Sequence, residues 1–400
     1  MKIISVVGAR PNFMKIAPFI QAIKSYNEQM ASSRQAEGGK AIEHILLHTG
    51  QHYDDRMSRS FFKSLNIPEA DINLGIGSGS HAEQVGNTMI AFEKVCITEN
   101  PDWVVVVGDV NATLACSVTA KKLNVKVCHI EAGLRSNDLS MPEEINRLVT
   151  DRLSDLLLVP DRLSAQNLRN EGVPSRKILF VGNIMIDTLE ANRLKASDLK
   201  IEDIIRNNIH PETPLDELVD GPILADIRDD TYAVMTLHRP SNVDSRDVLE
   251  PLIEFLLDEV SKENPLIWPI HPRAQKQLVV FGIWETLKSH PGIILLEPIG
   301  YHEMLRLNMG ARIMLTDSGG LQEECCVLGT PCLTLRWNTE RPVTLREHGG
   351  ASILVGNNVK RIRHEYHQTL KFKRTPLQPE LWDGETAPRC VTAILSYKEG

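Results

Sequence analysis

Short aliphatic and β-branched runs alternate with helix-period patterns along nearly the whole chain. "KIISVVG" leads into "NFMKIAPFIQAIKSY", "EHILLHTG" into "YDDRMSRSFFKSL", and "DWVVVVGD" into "ATLACSVTAKKL". "VKVCHIEA", "DLLLVP" and "KILFVGN" continue the same grammar. These runs are apolar throughout instead of alternating, so both faces of each predicted strand must be covered. That is the pattern of a parallel sheet between layers of helices. Over 195–230, acids and prolines break the rhythm and predict a linker or crossover. It restarts with "YAVMTLH", "LIWPIHP", "GIILLEP", "RIMLTDS", "PCLTLRW" and "ASILVG". The polar stretch 28–41 reads as a loop insertion.

The predicted fold class is therefore α/β, with two Rossmann-like doubly wound parallel-sheet domains facing each other across a cleft. The expected boundaries are 1–194 and 195–385, with a C-terminal helix in 386–400 packing back on the first domain. A chain of 400 residues exceeds what one ordinary core supports, which favours the same division. The net charge of -8 gives no reason to expect nucleic acid as a partner. The 7 cysteines are odd in number, lack CxxC spacing and mostly sit in apolar runs. Buried thiols in a reducing, cytoplasmic setting are the expectation. No apolar run approaches membrane-span length, and the N-terminal run is too short for a signal peptide, so no membrane insertion is expected.

In doubly wound sheets, ligands lie beyond the carboxyl ends of the strands. Here those ends carry Gly8-Ala9-Arg10, Asp109, Glu131, His238-Arg239, His271 and Asp317-Ser318-Gly319-Gly320, while the strand interiors are almost purely apolar. "GARP" is a tight turn opening a helix, so Arg10 and Lys15 suit an anion. Asp109 fits either a functional role or a cap for the helix starting near Asn111. Glu131 directly follows a buried strand and needs a partner. Glu143 and Glu144 follow Pro142, where the first turn of a helix accommodates acids on electrostatic grounds alone. A histidine after a strand, such as His238 or His271, is often only a hydrogen-bonded loop residue. In "MLTDSGGLQEECCVLGTP" the Ser-Gly-Gly turn before a helix suits an anion, yet Glu323 and Glu324 follow in the first turns, where they would repel one. No Walker-type loop, GxSxG or metal-ligand spacing occurs.

"GARPNFMKIAP", "GDVNATLA", "HIEAGLRS", "PEEINR", "GN" followed by "ID", "LHRPSN", "DSGGLQEE" and "TERP" stand in that order. The ordered set resembles the non-hydrolysing UDP-N-acetylglucosamine 2-epimerases over nearly the whole chain. The resemblance implies a GT-B-like fold of the glycosyltransferase and glycogen phosphorylase type, with a UDP-sugar as substrate and neither cofactor nor metal. It implies a homodimer supplying surface polysaccharide synthesis. Ser318, Gly319 and Gly320 would hold the diphosphate and Glu324 the ribose hydroxyls, answering the puzzle of the acids beside the anion turn. Arg10, Lys15, His271 and Arg341 would bind the substrate. Asp109, Glu131 and Glu143 would be the acid/base trio, with His238 near the departing phosphate. The chain departs from the family at His238-Arg239-Pro240-Ser241, where many bacterial members read His-Arg-Arg-Glu. That difference bears on a second, activating UDP-GlcNAc site, of which Gln51 and His52 resemble another part. Met304 stands where an aromatic residue often lies near uracil. A 2-epimerase of UDP-2,3-diacetamido-glucuronic acid, a hydrolysing epimerase, a GT-B glycosyltransferase and a non-catalytic sugar-nucleotide regulator are the alternative readings.

Overall fold

The computed structural model describes residues 1–32, 41–50, 65, 67–213, 224 and 226–398; Gln51 and His52 lie outside them. The chain divides into two compact units, Met1–Ala191 with Pro379–Gly400, and Asn192–Gln378. The boundary falls inside the helix Ile184–Ser197.

In the first unit, parallel strands β1 (Lys2–Val7), β2 (Glu43–His48), β3 (Ile72–Asn73), β4 (Trp103–Val107), β5 (Lys126–Ile130), β6 (Leu156–Val159) and β7 (Ile178–Phe180) line up as β3-β2-β1-β4-β5-β6-β7. The central strand β4 is buried along its whole length, as a tryptophan followed by valines between helix layers should be. Its register sets Ile4 beside Val104 and Val104 beside Val127. These residues share a core with Phe92, Ala112 and Cys116. The C-terminal helix Thr386–Leu395 belongs to this unit and packs on the helix Arg10–Ser32. Asp187, from the "ID" pair, accepts the N–H groups of Thr386 (3.1 Å) and Ala387 (2.7 Å), satisfying two otherwise open donors at that helix's start.

The second unit repeats the scheme. Parallel strands β8 (Ala233–Thr236), β9 (Leu266–Pro269), β10 (Ile293–Leu296), β11 (Ile313–Thr316), β12 (Cys332–Thr334) and β13 (Ser352–Leu354) run in the order β10-β9-β8-β11-β12-β13. Trp268, Phe255 and Tyr366 fill one side of this sheet, and Tyr232, Ile267 and Ile294 the other.

The stretch expected as a linker contains a helix, Ile201–Asn208. Ile201, Ile204 and Ile205 recur at helical spacing and bury against the second sheet, so tertiary burial outweighs the acidic, proline-containing surroundings. In the region expected as an insertion, the first helix continues to Ser32. Among the described residues, no helix is long and apolar enough to cross a membrane.

Both sheets reverse strand order at one place, between β1 and β4 and between β8 and β11. At such switch points neighbouring connections leave in opposite directions and open a crevice at the strand ends. Asp109 follows β4, and His238 and Asp317 follow β8 and β11, at these two points.

Candidate functional site

At the β1/β4 switch point, Asn12 clips the two strand ends together. Its Oδ1 accepts from the Gly8 and Ala9 N–H groups, and its Nδ2 donates to the Val107 carbonyl (2.9 Å). Arg10 opens the helix one step earlier. One turn on, Lys15 forms a buried ion pair with Glu131, the partner that a carboxylate at the end of a buried strand requires. Glu131 itself sits at φ 71°. This left-handed conformation is uncommon for glutamate and, when held by its surroundings, tends to mark sites. Gly108, at φ 69°, leaves the room: a Cβ there would lie 3.2 Å from Asn12 Nδ2 and 3.5 Å from Glu131 Oε2.

Asp109 does not cap the following helix, whose N-cap is Val110 with no side-chain bond. Its carboxylate instead pairs with Arg147, which also binds Glu144 through Nε (2.8 Å) and Nη2 (2.5 Å). Glu144 is buried and accepts the N–H groups of Ser136 and Asn137. Burial would raise its carboxyl, but those bonds and Arg147 hold it below the ordinary carboxylate range. Glu143 is exposed one residue earlier and makes no ion pair among the described residues. The structure thus joins Lys15 to Glu131, and Asp109 to Arg147 and Glu144, but leaves Glu143 apart. Asn12, Glu144 and Arg147 were not singled out from sequence as site residues. Only their place inside "GARPNF" and "PEEINR" hinted at them, because their partners are distant in the chain.

At the β8/β11 switch point, the Thr236 and Thr316 hydroxyls meet at 2.6 Å. One residue further, buried Asp317 receives His238 Nδ1 at 2.7 Å. His271 caps the helix Pro272–Val280, its Nδ1 accepting from the Arg273 N–H. Its ring lies 5.6 Å from that of His238. Burial first, and the His238 charge second, lower its pKa.

Ser318 is the N-cap of the helix Gly319–Leu328 without a side-chain capping bond, so the cap itself does not occupy the first amides by which such helices attract anions. A side chain at Gly319 would run into Arg341, with Nη1 only 2.7 Å from the ideal Cβ. Arg341 is in turn paired with Glu323 (2.8 Å) and with Glu340. Glu323 therefore has its own cation. Among the described residues Glu324 has none: it is buried, and its Oε2 lacks a hydrogen-bond partner there. Burial pushes its carboxyl up to about 7, against the smaller pull of Tyr301 and Asn308.

The profile of the UDP-N-acetylglucosamine 2-epimerase family matches residues 34–395. The chain is 40% identical over 398 residues to the UDP-N-acetylglucosamine 2-epimerase of Methanocaldococcus jannaschii, covering 99% of each chain. It is 37% identical over 361 residues to the UDP-2,3-diacetamido-2,3-dideoxy-D-glucuronate 2-epimerase of Pseudomonas aeruginosa, covering 89% of this chain and 88% of the relative. Among solved structures, the Methanocaldococcus jannaschii UDP-GlcNAc 2-epimerase in complex with UDP-GlcNAc and UDP superposes with TM-score 0.84 at 38% identity, over 100% of both chains. The Neisseria meningitidis UDP-GlcNAc 2-epimerase bound to UDP-GlcNAc gives TM-score 0.80 at 27% identity, over 99% of this chain and 100% of that one. The two parallel α/β sheets are those of a GT-B-like fold, and the chain belongs to the UDP-N-acetylglucosamine 2-epimerase family.

Proposed function

We propose that the protein reversibly epimerises UDP-N-acetylglucosamine at C2 to UDP-N-acetylmannosamine. One observation carries the reading. The acids at the β1/β4 switch point are set against cations, Glu131 against Lys15 and Asp109 against Arg147, in a chain 40% identical to an epimerase of this kind.

The proton on C2 of an acetamido sugar is barely acidic, so it leaves only as C1 becomes electron-poor. Breaking C1–O sends that bond's electron pair to the UDP oxygen. A carboxylate takes the C2 proton, and the C2–H pair forms the C1=C2 bond of a 2-acetamidoglucal. Return of a proton to the opposite face of C2, with attack of UDP on C1, gives the epimer. Opposite faces require acid/base groups at separate positions, and departing charge requires donors. Asp109, Glu131 and Glu143 are assigned to proton transfer, and His238 to the departing phosphate. Ser318, Gly319 and Gly320 receive the diphosphate, with Arg10, Lys15, His271 and Arg341 as further substrate contacts. Glu324 is assigned to the ribose: a carboxylate can accept from both hydroxyls of a vicinal diol.

Proton NMR of UDP-GlcNAc incubated with the protein in D₂O tests the reading. The expected result is UDP-ManNAc with deuterium at C2. Release of free ManNAc and UDP would convert the assignment to hydrolysis. Turnover of UDP-2,3-diacetamido-glucuronic acid alone would move it to the second substrate, which the 37% relative keeps in view. The active form is proposed to be a homodimer supplying surface polysaccharide synthesis; light scattering on the eluting protein tests its mass.

A further inference from the structure

His238 has one ring nitrogen already committed. Nδ1 lies 2.7 Å from Asp317 Oδ1, while 42% of the His238 side chain remains exposed. Asp317 is fully buried, and its carboxylate gathers further donors: the N–H groups of His238 (3.0 Å) and Arg239 (2.8 Å), and Asn242 Nδ2 (3.1 Å). Asn242 is itself anchored by donating to the Leu335 carbonyl. The carboxylate is therefore fixed from several directions and cannot swing away from the ring. Burial works to raise the Asp317 pKa, yet the bond from His238 and the two backbone N–H groups hold it below its ordinary value. A carboxylate so held can only accept, which puts a hydrogen on Nδ1. Nε2 is then the nitrogen through which the ring meets a ligand.

We propose that Asp317 is the positioning residue for His238. It holds the ring by Nδ1–H, keeps it as the imidazolium whose Nε2–H donates to the departing UDP oxygen, and balances that charge while C1–O breaks. This inference rests on assigning His238 to the departing phosphate. The C1–O pair goes to UDP, the C2 proton goes to an acid/base carboxylate, and the ring proton stays on Nε2 as a hydrogen-bond donor. The charged and titratable groups around the dyad are His271, at 5.6 Å between rings, and Arg239, whose Nε donates to the Asp317 carbonyl. Both are cationic or neutral, so Asp317 supplies the counter-charge among these groups.

The test compares the full-length protein with Asp317→Asn, His238→Asn and the double variant, following UDP-GlcNAc turnover by NMR across neutral pH. In Asp317→Asn, kcat should fall about 30-fold with little change in KM. The alkaline limb of kcat should move down by about one pH unit as the imidazolium loses its counter-charge. The double variant should be no slower than His238→Asn, because residues acting as one unit are not additive. A merely structural anchor would raise KM and lower Tm while leaving the alkaline limb in place, and that result overturns the proposal. Loss in His238→Asn beside normal turnover in Asp317→Asn sinks this inference alone. Normal turnover in His238→Asn sinks the phosphate assignment and this inference together. Should Asp317→Asn fail to fold, ¹⁵N NMR of the His238 ring in the unmodified protein decides. Nδ1 carrying the hydrogen supports the proposal, and an unprotonated Nδ1 ends it.

Discussion

The two switch points handle buried acids differently. Beyond β1/β4, buried Glu131 and Glu144 face Lys15 and Arg147, and Asp109 shares Arg147. Beyond β8/β11, Glu323 has Arg341 and Asp317 has His238, but Glu324 is buried with no cation paired to it among the described residues. Breaking a buried charge pair is expensive, whereas an unpaired buried acid avoids the cost by keeping its proton. The first arrangement sets each of these acids against a cation before substrate arrives. The second suits an acid that ionises when hydroxyl donors come to it.

The sharpest way to break this comparison is at the paired acids. Asp109→Asn or Glu131→Gln should each cut turnover about 10³-fold, with UDP affinity close to that of the unmodified protein. A variant turning over within a few-fold of normal would remove that residue from the proton-transfer step. Arg147→Met comes next. It leaves buried Glu144 facing only backbone donors and frees Asp109, so stability should fall by about 3 kcal/mol, together with turnover. Denaturant unfolding alongside NMR rates would show both losses; a normal midpoint would mean that Glu144 is satisfied by Ser136 and Asn137 alone. Glu324→Ala ranks lower. Losing the ribose contact should weaken UDP binding by roughly 10- to 100-fold, about 1.5–3 kcal/mol for hydrogen bonds to a charged group, with stability unchanged or improved. Unchanged affinity by calorimetry would count against the ribose role.

Much of this was legible in the sequence, for physical reasons. Fully apolar runs such as "DWVVVVGD" mark strands covered on both faces, and β4 lies at Trp103–Val107. The residues just after such runs are forced to the sheet's carboxyl edge, which is why Asp109, Glu131, His238 and Asp317 could be singled out without coordinates. What lay hidden was pairing across the chain. Nothing local says that Arg147 reaches back to Asp109, or that Asp317 grips the ring of His238. Glu143 and Glu144 look equivalent after Pro142. The return of the Ser136–Asn137 backbone buries the second and leaves the first exposed. The helix Ile201–Asn208 was obscured because its acids and arginine occupy the exposed side of a stripe whose isoleucines were few. The two-residue strand β3 is too short for any periodicity to declare it.

The smallest effect discriminates best between the two kinds of acid, and it is a dependence on pH. Burial pushes Glu324 up to about 7, so in the free protein it is largely protonated on the acid side of neutrality and ionised above it. If the ribose diol binds the carboxylate, binding above that pKa costs no deprotonation. Below it, a proton must leave first, and affinity should drop toward tenfold for each further pH unit. UDP-GlcNAc is the suitable probe because its phosphates do not titrate near neutrality, and an Asp109→Asn background suppresses conversion during calorimetry. His271 acts in the opposite sense, since gaining charge as pH falls favours a diphosphate. Adding Glu324→Gln should therefore remove the acid-side loss and leave only a slight gain. For stability the sign is reversed. An acid whose folded pKa lies above its ordinary value makes the folded state bind the extra proton, so its ionisation destabilises the fold as pH rises toward 7 and beyond. Relative to the glutamine variant, the glutamate protein should lose stability over the same interval in which it gains affinity. An acid already paired with a cation, such as Glu144, whose pKa is held down, should show no such exchange near neutrality. Parallel pH profiles in the glutamate and glutamine proteins would mean that Glu324 is not the group that waits for the ligand.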